Sequence, residues 1–350
     1  MRGQVRSTSA RERCDDVEVW SVRCNEQRGS RVRYPPVETG ARKGPSDERM
    51  RDVVQGRYYR RMRCRAGIAV LALGILLAAP AGVRTWSFDA HRFITERAID
   101  RLPPELQPFF DRWRPFIVEH SVDPDLWRLA GWDQEPPRHF LDLDAYGSAP
   151  IGELPRDYDR AIQRYGADRL RQHGLLPWRT AEVYDRLRQA FADAAKGHAP
   201  YAAQNVQYYA AILSHYVADA HVPFHATKNY DGQLTGQRGI HARFEGELFS
   251  RYRDRLSIAP PAVAPVTDPR SFVFDRLSEG LPLATRLLAA DRDAAAAHPG
   301  YDDAYYEQMY RNAGDILATR VSAAIAGTAA MITGAWEVAG RPTLAADRAR

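Results

Sequence analysis

Two histidine–carboxylate pairs within 31 consecutive positions restrict the folds and functions open to this chain. His215 precedes Asp219 by four residues, and His241 precedes Glu245 by the same interval. Side chains four positions apart project from one face of a helix. Because the residues around the first pair are mostly apolar, we expect that helix to be buried. A buried imidazole beside a carboxylate requires a counter-charge or a metal.

A further histidine, His225, follows the first pair just after Pro223, which ends the predicted helix. Taken singly, a His–carboxylate pair is ordinarily a helix salt bridge. Two such pairs and His225 in one window instead predict a metal centre. Imidazole and carboxylate donors without thiolate suit Zn²⁺ in a catalytic site, and all three cysteines lie within residues 1–65.

Helical periodicity dominates the chain after residue 86, and alternating β-branched runs are nearly absent. The predicted helices lie near residues 93–102, 155–173, 179–196, 202–221, 239–256, 270–290 and 302–339. No repeat of 20 to 50 residues is visible. The pattern therefore predicts one compact all-α, multi-helix domain over residues 86–340.

The beginning of the chain has a different composition. Residues 1–65 contain 17 Lys and Arg but 9 Asp and Glu, and residues 1–61 lack periodicity. We interpret 1–61 as a disordered basic leader or a mis-assigned start. Residues 62–81 are predicted to be a signal peptide, because a short basic start and an uncharged apolar run precede small residues at the cleavage site. The protein is then secreted or periplasmic; the alternative is an uncleaved membrane anchor.

Net charge differs between these parts of the chain. The whole sequence carries +5 at pH 7, whereas residues 86–350 contain 31 basic and 35 acidic side chains and carry −4. The predicted domain therefore offers no general electrostatic attraction to nucleic acid. It also shows no phosphate-binding loop, dinucleotide glycine motif or Ser-His-Asp arrangement, so nucleotide-driven work and covalent acyl chemistry are not predicted.

Upstream residues complete a series that resembles the zinc-dependent phospholipase C family and its relatives, the single-strand-specific nucleases. The series in this sequence is Trp86, His91, Asp125, His139, His215, Asp219, His225, His241 and Glu245. By itself, His91 reads as a capping or surface residue and Asp123-Pro124-Asp125 as a turn. The glutamate at the last position and the short gap before His241 resemble the phospholipase C branch.

The resemblance implies a nearly all-helical fold around a cleft that binds three zinc ions, with these nine residues as ligands. It implies that Asp125 bridges a close zinc pair and orients or deprotonates the attacking water; Asp123 and Asp133 compete for this place. It also implies that the amine and carbonyl of Trp86 ligate the third ion. Cleavage after Ala81 leaves four residues ahead of Trp86, so either a second trimming step occurs or that ion is held differently.

The predicted function is a secreted zinc-dependent phosphodiesterase, phospholipase C-like, that hydrolyses a phospholipid as a monomer in peripheral contact with a membrane. One alternative is a single-strand nuclease of the same superfamily, and a second is a non-catalytic zinc-binding protein of the envelope. Four aromatic residues are interpreted as core packing or as contacts to acyl chains or bases: Trp127, Trp132, Phe140 and Tyr146. His221 lies outside the ligand series and is expected to contact substrate or a carboxylate behind the ligands.

Overall fold

The computed structural model describes residues 88–147, 154–196 and 201–344. The chain divides into two units, Met1–Ala78 and Ala79–Arg350, and all the described residues belong to the second. The leader at 1–61, the signal peptide at 62–81 and the ligand Trp86 lie outside the described residues and stay predictions.

The described residues form helices and turns without strands, which confirms the predicted all-α class. The helices are α1 (Phe88–Ile99), α2 (Gln107–His120), α3 (Asp123–Leu129), α4 (Tyr158–Tyr165), α5 (Ala167–His173), α6 (Leu176–Lys196), α7 (Ala202–Asp219), α8 (Ile240–Ala242), α9 (Phe249–Tyr252), α10 (Pro269–Ala297) and α11 (Asp303–Val338). A π-helical segment, Arg243–Leu248, joins α8 to α9.

Helix α7 lies at the centre of the domain, where it packs against α1, α2, α6 and α11. Every residue from Ala210 to Asp219 is buried, so the sequence surrounds the first His–carboxylate pair with protein on all sides. Arg320 of α11 closes the end of this helix, since its Nε donates to the carbonyl of His221 at 2.7 Å. The position of Asp219, the last residue of α7, is thereby fixed.

Helix α11 is the one helix among the described residues that is long and apolar enough to cross a membrane. Within its most apolar stretch, 83% of the residues are buried inside the domain. It contacts α1, α6, α7 and α10. Its apolar character is therefore accounted for by packing in the core.

The segment that carries His139 is held against the turn between α5 and α6. Leu141 donates its backbone N–H to the carbonyl of His225 at 2.9 Å, and Asp142 donates to that of His173 at 2.8 Å. Gly174 adopts a φ of +100°, and a Cβ there would lie 2.1 Å from the carbonyl oxygen of Phe140. Only glycine fits this approach, which brings His139 next to α7.

Helices α2 and α3 are absent from the helices predicted by periodicity. Prolines in these segments argue against a helix when only the sequence is considered. In the structure, Pro108 and Pro124 occupy the first turn of α2 and α3. A proline there sacrifices no hydrogen bond, because the first N–H groups of a helix have no partner within it. Asp123-Pro124-Asp125 therefore begins a helix, and the interpretation of this tripeptide as a turn was wrong.

Candidate metal centre

Three ligand atoms from different parts of the chain converge beside the end of α7. His139 Nδ1 lies 3.0 Å from Asp219 Oδ2 and 3.1 Å from His215 Nε2. His215 Nε2 lies 3.2 Å from Asp219 Oδ2. All three side chains are buried. The three atoms thus form a nearly equilateral triangle.

A second convergence involves the other predicted pair and His225. His225 Nε2 lies 3.2 Å from His241 Nε2, and His241 Nε2 lies 2.8 Å from Glu245 Oε1. Neither carboxylate oxygen of Glu245 has a hydrogen-bond partner among the described residues. The 2.8 Å approach is therefore a contact at the wrong angle for a hydrogen bond. Two imidazole nitrogens and a carboxylate oxygen that lie this close without donating hydrogen bonds to the carboxylate are typical of ligands that share a cation.

These separations match zinc. Ligands about 2.0–2.1 Å from a tetrahedral zinc ion lie roughly 3.3 Å from one another. The separations are 3.0 to 3.2 Å in the first triad. In the second triad they are 2.8 and 3.2 Å from His241, and His225 Nε2 lies 4.0 Å from Glu245 Oε2. A donor set of imidazole and carboxylate without thiolate also fits zinc. The residues present therefore fit the predicted metal, and the two triads could each hold an ion.

Asp219 links the two triads to His91. Its Oδ2 belongs to the first triad, whereas its Oδ1 lies 3.6 Å from His91 Nε2 and 3.7 Å from His225 Nδ1. The ring of His91 stacks on that of His215 with centroids 4.0 Å apart. His91, His215 and Asp219 form a third group of suitable ligands. Asp219 therefore lies between the two triads, and the bridging role that the resemblance implied for Asp125 stays a prediction.

Asp125 lies at the edge of the first triad, where it forms a further group of suitable ligands with His139 and His215. Its Oδ1 is 3.8 Å from His139 Nδ1 and 3.1 Å from Arg128 Nη2. The competing residues lie elsewhere: Asp123 Oδ2 is 2.8 Å from His120 Nδ1, and Asp133 is exposed. Among the three aspartates, the structure brings only Asp125 to the centre.

Groups behind the ligands fix the orientation of the imidazoles. His215 Nδ1 donates to the carbonyl of Ser121 at 2.9 Å, which leaves Nε2 with its lone pair toward the centre. Glu135 is fully buried with Oε1 3.5 Å from His139 Nε2, and it accepts a hydrogen bond from Tyr216. Partners of this kind hold the rings of metal-ligating histidines in place.

The sequence interpretation missed Glu135, although a signal for it exists. Glu135 precedes His139 by four residues, the same interval as in the two recognised pairs. Pro136 and Pro137 follow it and break the helical pattern, so the four-residue interval does not predict that Glu135 and His139 share a helix face. The two prolines form a short 3₁₀ turn, Pro136–Arg138, and this turn brings the glutamate and the histidine together.

The electrostatics of the centre favour a cation. Burial lowers the pKa of His91 to about 3 and that of His241 to about 4, so both are neutral near pH 7, as metal ligation requires. Burial raises the pKa of Glu245 well above its usual range. Burial opposes a charge on His139, yet the neighbouring carboxylates of Asp219 and Glu135 raise its pKa to about 9. The first triad therefore draws positive charge to its centre.

Several buried polar atoms at the centre lack hydrogen bonds within the described part of the chain. They are His139 Nε2, Asp219 Oδ1, His225 Nδ1, His241 Nδ1 and both oxygens of Glu245. A buried polar atom without a hydrogen-bond partner costs about 1–3 kcal/mol of folding free energy, and a charged group costs more. Their accumulation at one place is explained if the centre binds cations.

The remaining residues singled out from the sequence divide between core and surface. His221 bonds to the carbonyl of Val217 at 2.7 Å and packs beside Phe272, so its expected contact with a carboxylate was wrong. Tyr146 is buried against Tyr165. Trp127 and Trp132, near Asp125, are not in the core in this way: their rings stack with centroids 5.4 Å apart. Phe140 is half-buried.

The chain is distantly similar in structure to proteins of known structure. No protein-family model matches the chain, and no curated protein does. Among solved structures, the alpha-toxin of Clostridium perfringens from avian strain SWCP is similar, with a TM-score of 0.39 and 14% sequence identity. The match covers 73% of this chain, which spans 64% of the toxin's length.

Proposed function

We propose that this protein is an exported zinc-dependent phosphodiesterase that hydrolyses a phospholipid in the manner of a phospholipase C. The observation that carries the proposal is the convergence of two buried triads with separations of 2.8 to 4.0 Å, linked through Asp219. Zinc ions held there would neutralise phosphoryl oxygens and lower the pKa of water to about 7. The count of three ions includes one that Trp86 would help to bind.

The protein's own residues have distinct tasks in this reaction. Asp125 lies beside the first triad, where its carboxylate can orient the attacking water and accept its proton. Arg128 holds Asp125 Oδ1 at 3.1 Å and adds positive charge for the anionic phosphodiester. Attack of water on phosphorus breaks the bond to the glycerol oxygen. A phosphorylated head group and diacylglycerol are the products.

Exposed apolar residues beside the centre support a lipid substrate. Leu126 and Leu129 are 44% and 65% exposed on α3, the helix that carries Asp125, and Trp132 just beyond it is 57% exposed. We call these three residues the apolar patch. Leucine and tryptophan are the side chains that enter the interfacial region of a membrane. The patch therefore favours a membrane as the place where the substrate is met.

The same patch contains an observation that favours the nuclease alternative. Trp132 is exposed and stacks almost parallel on Trp127, at an interplanar angle of 7°. A supported, exposed indole is a platform on which a nucleic-acid base can stack. The net charge of −4 over residues 86–350 opposes polyanion binding, so this function ranks second.

Substrate comparison tests the proposal. We expect the purified, zinc-supplemented protein to hydrolyse phosphatidylcholine in vesicles and a soluble chromogenic phosphodiester, and to leave single-stranded DNA intact. The measurements are release of phosphorylated head group, absorbance and gel analysis. Cleavage of DNA without cleavage of phosphatidylcholine would instead establish the nuclease. Zinc binding without turnover of any of the three substrates would establish the non-catalytic zinc-binding protein.

A patch variant provides the control. In Leu126→Ser/Leu129→Ser, vesicle hydrolysis should fall about tenfold, because burying one leucine in lipid is worth roughly 1.5–3 kcal/mol when complete. Hydrolysis of the soluble substrate should stay within about twofold, since exposed substitutions rarely disturb the fold. Val338→Ser is the matched control, being 48% exposed at the end of α11. Equal losses on both substrates would exclude a membrane role for the patch.

A further inference from the structure

Arg243 lies on the side of the helix opposite to the second triad, which is formed by His225, His241 and Glu245. His241 and Glu245 project toward His225, and Arg243 lies midway between them in the chain. In a helix, a residue two positions along lies about 200° around the axis. Arg243 therefore projects from the opposite face, away from the triad and into the space between α10 and α11.

Arg243 is bonded there through every nitrogen of its guanidinium. Its Nε and Nη2 donate to Asp291 Oδ1 at 3.2 and 2.8 Å. Its Nη1 donates to the carbonyl of Arg238 at 2.8 Å and its Nη2 to that of Gln237 at 3.2 Å. Asp291 is 0% exposed and accepts a further hydrogen bond from Tyr305 at 2.5 Å. The pair is buried, with side-chain exposures of 10% for Arg243 and 1% for Asp291.

The backbone at this position explains why such a clamp is needed. Arg243–Leu248 is π-helical and contains Glu245. Single π-helical turns are rare because they are less favourable than α-helix, and they often occur at functional sites. A relaxation of this segment to α-helix would rotate the residues after Arg243 about the helix axis and so move Glu245 relative to His225. The bonds made by Arg243 fix the first residue of the segment against α10.

We propose that the Arg243–Asp291 pair is a positioning element for the site formed by His225, His241 and Glu245. The pair holds the π-helical segment against α10, and so fixes where His241 and Glu245 lie relative to His225, whose Nε2 is 3.2 Å from His241 Nε2. It contacts none of the three ligands' donor atoms, so it acts on metal binding through geometry. This inference rests on the proposed zinc function.

If the Arg243–Asp291 pair only stabilised the fold, its loss would lower the melting temperature and leave zinc affinity unchanged. The chain supplies a control for the loss of an ion pair. Arg255 and Glu307 form a second ion pair, at 3.0 Å, between the turn after α9 and α11. Their side chains are 53% and 37% exposed, so the pair contributes little to stability. Glu307→Gln removes an ion pair from the same region without touching the clamp.

The experiment measures Zn²⁺ affinity site by site, by titration of the full chain against a chromogenic chelator. We expect Asp291→Asn to weaken one site about 10- to 100-fold, the usual effect of losing a partner behind a metal ligand. The remaining sites should stay within twofold, and Glu307→Gln should change none. Tyr305→Phe, which removes one hydrogen bond to Asp291, should weaken the same site to a smaller extent, and it serves where Asp291→Asn does not fold.

The affected site is identified with Glu245→Gln. That variant should lose the same ion, and the double variant Asp291→Asn/Glu245→Gln should lose no second ion. Zinc affinities within twofold of the parent in Asp291→Asn or, if it does not fold, in Tyr305→Phe would overturn the inference, even if the melting temperature falls. An unmodified chain that binds no zinc would overturn the proposed function itself, so the two failures are distinguishable.

Discussion

Replacing Asp219 by Asn is expected to remove more than one zinc ion and to reduce phosphodiester hydrolysis about a thousandfold or more. Asp219 Oδ2 completes the triangle with His139 and His215, and Oδ1 faces His91 and His225. The amide keeps the shape but halves the ligand capacity and removes the charge. A loss of about 4 kcal/mol of charge stabilisation corresponds to roughly a thousandfold in rate.

Zinc content by elemental analysis and turnover of a soluble phosphodiester measure this effect. Asp142→Asn is a matched control, because Asp142 is also buried and lies 3.1 Å from a histidine, His173, but belongs to neither triad. We expect it to keep its zinc and its activity. An Asp219→Asn protein with parental zinc content and turnover would show that this aspartate is not a ligand.

Removal of metal by a chelator is expected to lower the melting temperature by about 10 °C or more. A ligand at 1,000 times its Kd stabilises the folded state by about 4 kcal/mol, and each kcal/mol shifts the melting temperature of a domain this size by roughly 2–4 °C. Asp219 and Glu245 are at most 1% exposed, so bound ions would compensate carboxylates that solvent cannot reach.

Thermal unfolding followed by circular dichroism, with and without chelator, measures the shift. Added Zn²⁺ should restore the original melting temperature, whereas Mg²⁺ should not, because Mg²⁺ prefers oxygen ligands and octahedral geometry. Identical melting curves in the presence and absence of chelator would mean that the buried centre needs no metal to be stable.

The helical class and the grouping of ligands were predictable because they depend on local spacing. A four-residue interval on one helix brings His215 to Asp219 and His241 to Glu245 in any tertiary arrangement. Apolar neighbours then predict burial. Helix α3 was not predictable in this way, since Pro124 suggests a break unless its place in the first turn is known.

Long-range partners could not be read from the sequence. Asp291 lies 48 residues after Arg243, and only the packing of α10 against the segment after α8 brings them together. The bridging position of Asp219 likewise depends on how α1, α7 and the turn at Pro223–Ala226 meet. Spacing predicts which side chains are ligands, whereas the tertiary fold determines which ligand lies between two sites.

Elemental analysis of the purified, extensively dialysed protein tests the central claim most directly. The convergence of nitrogen and oxygen donors in two buried triads, joined through Asp219, predicts two to three zinc ions per chain. One ion or none would contradict a multinuclear zinc centre.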